Sequence, residues 1–228
     1  MKRIGLKSSC VVGFDGQRHV LWRDGEVVFE GSRILFVGRD YPGPVDQWIN
    51  YGNALIGPGF IDLDALGDLD STVLTLDNGD ERAMGRMWSE DYLAAGPRES
   101  YTADEEVFKY RYAFTQLIRN GITTAMPITS MYYREWAETY DEFAAVAGIA
   151  GELGLRTYLG PCYMSGMSYW RADGSLGHHW DEARGMAGLE AAARFFYDFD
   201  GAQGGLIRGA LLPDRIQTCT PALLQRTA

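Results

Sequence analysis

Cysteine is scarce in this chain. Cys10, Cys162 and Cys219 are the only three, and their odd number and wide separation argue against a disulfide framework and for a reducing compartment. There is no Cys-x-x-Cys pair, so nothing indicates a thiolate zinc site. Histidine is as sparse, with His19 alone and His178-His179 as a pair. Long apolar runs are missing as well. No stretch approaches the ~20 residues of a membrane span, and the opening MKRIGLKSSCVVGF lacks the apolar core of a signal peptide. These absences predict a soluble, cytoplasmic protein with no membrane partner. Positive charge is in deficit: 21 Lys and Arg against 31 Asp and Glu leave a net charge of −10. Such a chain repels phosphate backbones, so no nucleic-acid partner is expected. A phosphate-cradling loop is also lacking, because the glycines of 201–205 precede a strand-like run instead of opening a helix. Ser165 and Ser168 have no nucleophile-elbow context.

What is present is enough for a sizeable core. Of the 228 residues, 46% are apolar and 13% aromatic, which argues against gross disorder. Residues 1–57 read as short strands joined by tight turns. Asp24-Gly25, between Val20–Trp22 and Val27–Phe29, predicts a hairpin, because glycine accepts positive φ at little cost. Further strands are expected at Arg33–Val37, Trp48–Asn50 and Ala54–Ile56, making a small all-β layer.

From residue 58 the texture changes to strands alternating with helices. Thr102–Asn120 opens with a threonine cap and an acidic first turn, then places Val107, Tyr110, Phe114, Leu117 and Ile118 at helical spacing. A β-branched run from Ile122 follows, ending at Pro127. The cycle repeats with helices at Asp141–Leu153 and Ala187–Phe199, and with strands in LRTYLGP and GLIRGALLP. Thr220-Pro221 begins another helix. Strands near Gly59, Ile122, Leu155 and Leu206, separated by helices, predict a parallel sheet of the α/β class. A (β/α)8 TIM-like barrel needs eight such units and typically ~250 residues. The reading is therefore an N-terminal small β-sandwich part (1–57) plus the first half of such a barrel (58–228), in a chain that reads as truncated. A doubly wound sheet of four or five strands is the rival architecture.

Three stretches resemble the amidohydrolase superfamily, in particular its cytosine-deaminase and triazine-hydrolase-like branch. DGEVVFEGSRILFVG is similar to the family's N-terminal hairpin signature. ALIGPGFIDLD resembles the opening of barrel strand one, and IRNGITTAM resembles the start of strand two. The resemblance implies a barrel flanked by a small β-sandwich. It also implies hydrolysis of carbon–nitrogen bonds in a small, cyclic or amidine-type substrate by water activated on a divalent metal, zinc or iron. Family members hold that metal with two histidines on strand one and with ligands on later strands. Here the strand-one positions carry Asp64 and Leu66, and leucine ligates nothing. The later ligands would fall beyond residue 228, so the fragment itself is expected to be inactive. The alternative is a small-molecule binding or regulatory protein that has kept the fold and lost catalysis. A homo-oligomer would be in keeping with either reading.

The candidate residues follow. Asp64, at the C-terminal end of the first parallel strand, is a candidate metal ligand or general base, or else a carboxylate satisfied by backbone N–H groups. Asp62 shares its face by the two-residue period and reads as structural. Asp68 and Asp70 read as solvated or capping groups. His178 and His179 are expected in the loop after the third strand, where they could bind substrate, ligate metal or move protons. Two long aromatic loops stand out. One holds Trp88, Tyr92 and Pro97. The other holds Tyr163, Met164, Tyr169, Trp170 and Arg171, of which Tyr163, Trp170 and Arg171 are the candidate substrate contacts, suited to a flat polar ring or a carboxylate.

Overall fold

The fold is given by a computed structural model that describes residues 1–67, 89–99, 101–128 and 134–228. Asp68, Asp70 and Trp88 lie outside the described residues. The chain divides into two compact units, Met1–Gly59 and Phe60–Ala228.

The first unit is one five-stranded sheet. Strands β1 (Arg3–Phe14), β2 (His19–Glu30), β3 (Arg33–Gly38) and β4 (Gln47–Asn50) lie in the order β3-β2-β1-β4, and β5 (Leu55–Ile56) also pairs with β1. The expected hairpin at Asp24-Gly25 is not there. β2 runs straight through those residues, paired with β1 in an unbroken register from Glu30 to His19. Gly25 is needed for close approach: a Cβ there would lie 2.6 Å from Cβ of Val11, and Val11 is fully buried. Asp24 sits within the strand at φ +50°. The turns fall elsewhere. Oδ1 of Asp15 accepts the N–H groups of Gln17 and Arg18, both at 2.9 Å, to fold β1 onto β2, and Gly31, at φ +58°, folds β2 onto β3.

The second unit is built on a parallel sheet of β6 (Phe60–Leu66), β7 (Ile122–Ile128), β8 (Arg156–Leu159) and β12 (Ile207–Gly209). The spatial order is the chain order. It has no reversal point, unlike the doubly wound alternative. A short helix, α1 (Glu90–Ala95), precedes the three long ones: α2 (Ala103–Arg119), α3 (Tyr140–Leu153) and α4 (Glu182–Phe199). All three long helices contribute to one core with the same sheet face. Tyr110 and Phe114 from α2, Phe143 and Val146 from α3 and Phe195 from α4 meet Ala65, Ala125, Leu159 and Ile207 from the strands. On the opposite face Arg156, Tyr158 and Arg208 are exposed. Among the described residues, the outer edges of β6 and β12 have no strand partner.

Local sequence explains the helix ends. Thr102 and Glu105 form a reciprocal capping box at the start of α2. Thr139 caps α3, and Gly154 ends it at φ +74°. Helix α4 starts five residues before the expected Ala187, because Oδ1 of Asp181 accepts the Arg184 N–H at 2.9 Å. Gly185 and Gly188, poor helix formers, sit in its first turns. They are there for packing, since a Cβ would lie 2.5 Å from Cβ of Ser165 and 2.8 Å from Cβ of Tyr163 respectively.

The two expected strands LRTYLGP and GLIRGALLP each split. Beyond β8 and β12 come β9 (Cys162–Tyr163) and β13 (Leu212–Pro213), which pair in parallel. Pro161 supplies no N–H to the ladder between β8 and β9. The segment expected as a loop around His178-His179 is a β-hairpin, β10 (Gly166–Trp170) and β11 (Leu176–Trp180). Helix α5 (Pro221–Thr227) follows its Thr220 cap. No helix among the described residues is long and apolar enough to cross a membrane.

Candidate functional site

A cleft of ≈ 780 Å³ opens at the C-terminal ends of the parallel strands. This is where strand ends and the loops after them converge in such sheets. β6 contributes Asp64, and β7 contributes Met126, Pro127 and Ile128. Cys162, Met164 and Met167 form one wall. The hairpin adds Ser168, Trp170 and Leu176, and the segment after β13 adds Asp214, Arg215 and Thr218.

Asp64 reaches the cleft through a bulge. Between the pairs Asp62↔Ala125 and Ala65↔Pro127, two residues of β6 oppose the single Met126 of β7. A bulge re-aims side chains, so the two-residue period that put Asp62 and Asp64 on one face does not hold across it. Asp62 is structural: its Oδ1 accepts the Asp64 N–H at 3.1 Å. Leu66 is exposed at the end of β6.

Asp214 is the best-held acid in the cleft. Its side chain is 10% exposed. Its Oδ2 accepts the Thr218 hydroxyl at 2.8 Å and faces Nε of Arg215 at 3.0 Å. Its own N–H donates to the Tyr163 carbonyl at 2.9 Å. The sequence reading missed Asp214, Arg215 and Thr218. The available signal was position, because Pro213-Asp214 follows the fourth parallel strand at the same end as Asp64.

Behind the methionine wall lies a buried ionic cluster that the sequence reading also missed. Guanidinium Nη2 of Arg134 bridges Glu106 at 2.8 Å and Glu142 at 2.7 Å, and Nζ of Lys109 meets Glu106 at 2.7 Å. Glu138 accepts the Tyr110 hydroxyl and the Cys162 N–H, each at 2.6 Å, and so ties the cluster to a residue that lines the cleft. Burial pushes the Glu138 carboxyl up to about 8, against the field of Arg134 and with the help of repulsion from Glu142. Burial works against the Arg134 charge, but its hydrogen bond to Glu142 and the surrounding carboxylates hold it firmly protonated.

The remaining candidates separate. Trp170 lines the cleft. Tyr163 does not: it is 1% exposed, packs in the core with Leu189 and Leu223, and its hydroxyl lies 2.9 Å from that of Thr227. Arg171 is spent on the hairpin turn, donating to Ser175 and to the Leu176 carbonyl. Neighbours on a strand point to opposite faces, so His178 and His179 do not converge on one ion. His178 stacks on Trp180, with centroids 5.8 Å apart and planes at 5°, whereas His179 meets the edge of Trp136. Tyr92 accepts the Arg98 N–H at 3.4 Å near the end of α1. Among the described residues, no three His, Cys, Asp or Glu side chains are grouped to hold a metal ion.

No protein-family model matches the chain. It is similar to a 5-methylthioadenosine/S-adenosylhomocysteine deaminase of Natronomonas pharaonis, 26% identical over 198 residues, which are 86% of this chain and 38% of that protein. Among solved structures, a guanine deaminase from C. acetobutylicum matches with a TM-score of 0.63 and 16% identity over 98% of this chain and 49% of that one. An atrazine chlorohydrolase from Arthrobacter aurescens TC1, complexed with zinc, matches with a TM-score of 0.62 and 17% identity over 98% of this chain and 49% of that one. The chain therefore shares its fold with about half of each of these solved chains and spans 38% of the curated relative.

Proposed function

We propose that the chain is half of a barrel-type hydrolase of carbon–nitrogen bonds, and that its cleft takes a small, flat, nitrogen-rich ring whose amine is displaced by water. One observation carries the reading: Asp64 and Asp214 line a single cleft at the C-terminal ends of a sheet ordered as a barrel is ordered. Carboxylates accept hydrogen bonds from the N–H groups of aminated rings, and charged acceptors make the stronger bonds. Asp214, held by Thr218 and Arg215, is preorganised to orient the ring. Asp64 is exposed and less tied, which suits a group that moves a proton. In the reaction the water oxygen bonds to the ring carbon, the carbon–nitrogen bond breaks, and the water proton passes through a carboxylate to the departing nitrogen. Methionines adapt to the ring faces, and Trp170 offers a stacking surface.

The zinc or iron that the sequence resemblance implies does not fit the described residues. Two carboxylates and Leu66 are not a metal site. Two observations support completion of the cylinder by further strands: the unpartnered edges of β6 and β12 among the described residues, and the length shared with the solved relatives. A second reading, a binding protein without catalysis, is favoured by Leu66 and by the lack, among the described residues, of three grouped metal donors.

Titration calorimetry with guanine, methylthioadenosine and 2,4-diamino-6-methyl-1,3,5-triazine tests the cleft. At least one should bind, and Asp214→Asn should weaken it about tenfold or more, the worth of a hydrogen bond to a charged acceptor. If none binds, the reading fails. Ammonia release from a bound ring separates hydrolase from binder.

A further inference from the structure

The hairpin β10–β11 has two unlike faces. Cross-strand partners share a face, so Met167 and His179 lie on one side, and Ser168, His178, Trp170, Leu176 and Trp180 lie on the other. On the first side Met167 is buried against Trp136, Cys162 and Met164, the group that walls the cleft. The second side is not covered, with Trp170 51%, Leu176 47% and Trp180 47% exposed. It is nevertheless built. Gly166 lies directly opposite Trp180, and a Cβ there would collide with the indole, so only glycine lets the ring pack against that strand. On its other flank His178 stacks in parallel. Three members of this face, Ser168, Trp170 and Leu176, also line the cleft.

We infer that this face is an extended stacking subsite, and that the cleft's ligand carries a flat aromatic group beyond the ring held near the carboxylates. The inference rests on the cleft being a small-molecule site. Residues two apart on a strand are about 7 Å apart, so from Ser168, which lines the cleft, the row reaches the Gly166–Trp180 pair about 7 Å further on. That length suits one further ring. His178 is part of the platform, while His179, on the opposite face, meets Trp136.

The probes are 2,4-diamino-6-methyl-1,3,5-triazine and its 6-phenyl analogue, titrated into the full chain. The phenyl compound should bind about tenfold tighter, the scale of one aromatic stacking contact plus its buried area. His178→Ala and Trp180→Ala should each erase most of that advantage and leave the methyl compound within about twofold. Trp180→Phe, which keeps a ring, should retain the preference, and so should His179→Ala. His178 is exposed, so its variant keeps the test open if Trp180→Ala misfolds. Equal binding of both triazines would overturn the subsite and leave the cleft reading intact. Binding of neither would remove both. Wild-type self-association in analytical ultracentrifugation that Trp180→Ala abolishes would also overturn the inference, by assigning the face to a second copy.

Discussion

Glu138 carries the most consequence of any single residue. It is buried, its two oxygens accept one bond each, and its carboxyl is raised from the ordinary carboxylate range to about 8. A group whose folded pKa is raised holds its proton longer in the folded protein than in the unfolded one. Its contribution is therefore complete below about pH 4.5 and is lost as pH climbs through about 8. Chemical denaturation from pH 5 to 9 should show wild-type stability falling over that window. Glu138→Gln should flatten the slope, since the amide can accept from Cys162 and donate to Tyr110 without ionising. An unchanged slope would mean that another group sets the dependence. Arg134→Met leaves Glu106 and Glu142 without their shared partner and should cost about 3–5 kcal/mol, the penalty for breaking a buried pair from one side.

At the scale of elements, α4 is the clearest case of packing overriding propensity. Its glycines weaken the helix signal, which is why periodicity places the start at Ala187. The helix begins earlier because Asp181 caps it and because only glycine lets it approach Ser165 and Tyr163. Gly185→Val should destabilise the protein by about 1–3 kcal/mol through overpacking; a melting curve within error of wild type would refute the close-approach argument. Thr102→Ala, by contrast, touches only a cap and should cost about 1 kcal/mol. The hairpin at β10–β11 teaches a related lesson. Gly166 and Gly177 look like loop residues in the sequence, yet each takes an aromatic ring from the opposite strand, Trp180 and Tyr169. Such pairs stabilise glycine-bearing strands.

At the scale of the whole molecule, the parallel sheet exposes apolar side chains that a closed cylinder would cover. Phe60, Ile61, Leu63 and Leu66 along β6 are all more than half exposed. An unpaired apolar edge invites association, and lysine blunts it. Leu63→Lys should raise the soluble yield of the chain while changing its unfolding free energy by less than about 0.5 kcal/mol, as expected of an exposed site. A large loss of stability would show that Leu63 is covered in solution.

The sequence alone determined the alternation of strands and helices, the caps at Thr102 and Thr220, and the stop at Gly154. Each of these depends on contacts within a few residues, which local pattern encodes. Asp64 and Trp170 could be found the same way, because both follow from position at a strand end or in an aromatic-rich segment. Only tertiary structure decided that Asp24-Gly25 lies within a strand, that Tyr163 is core and that His178 and His179 part company. It alone brought Asp214 to the same cleft as Asp64. Those outcomes depend on what approaches a residue from elsewhere in the chain, whether Val11 against Gly25 or Thr227 against Tyr163, and no short-range pattern carries that information.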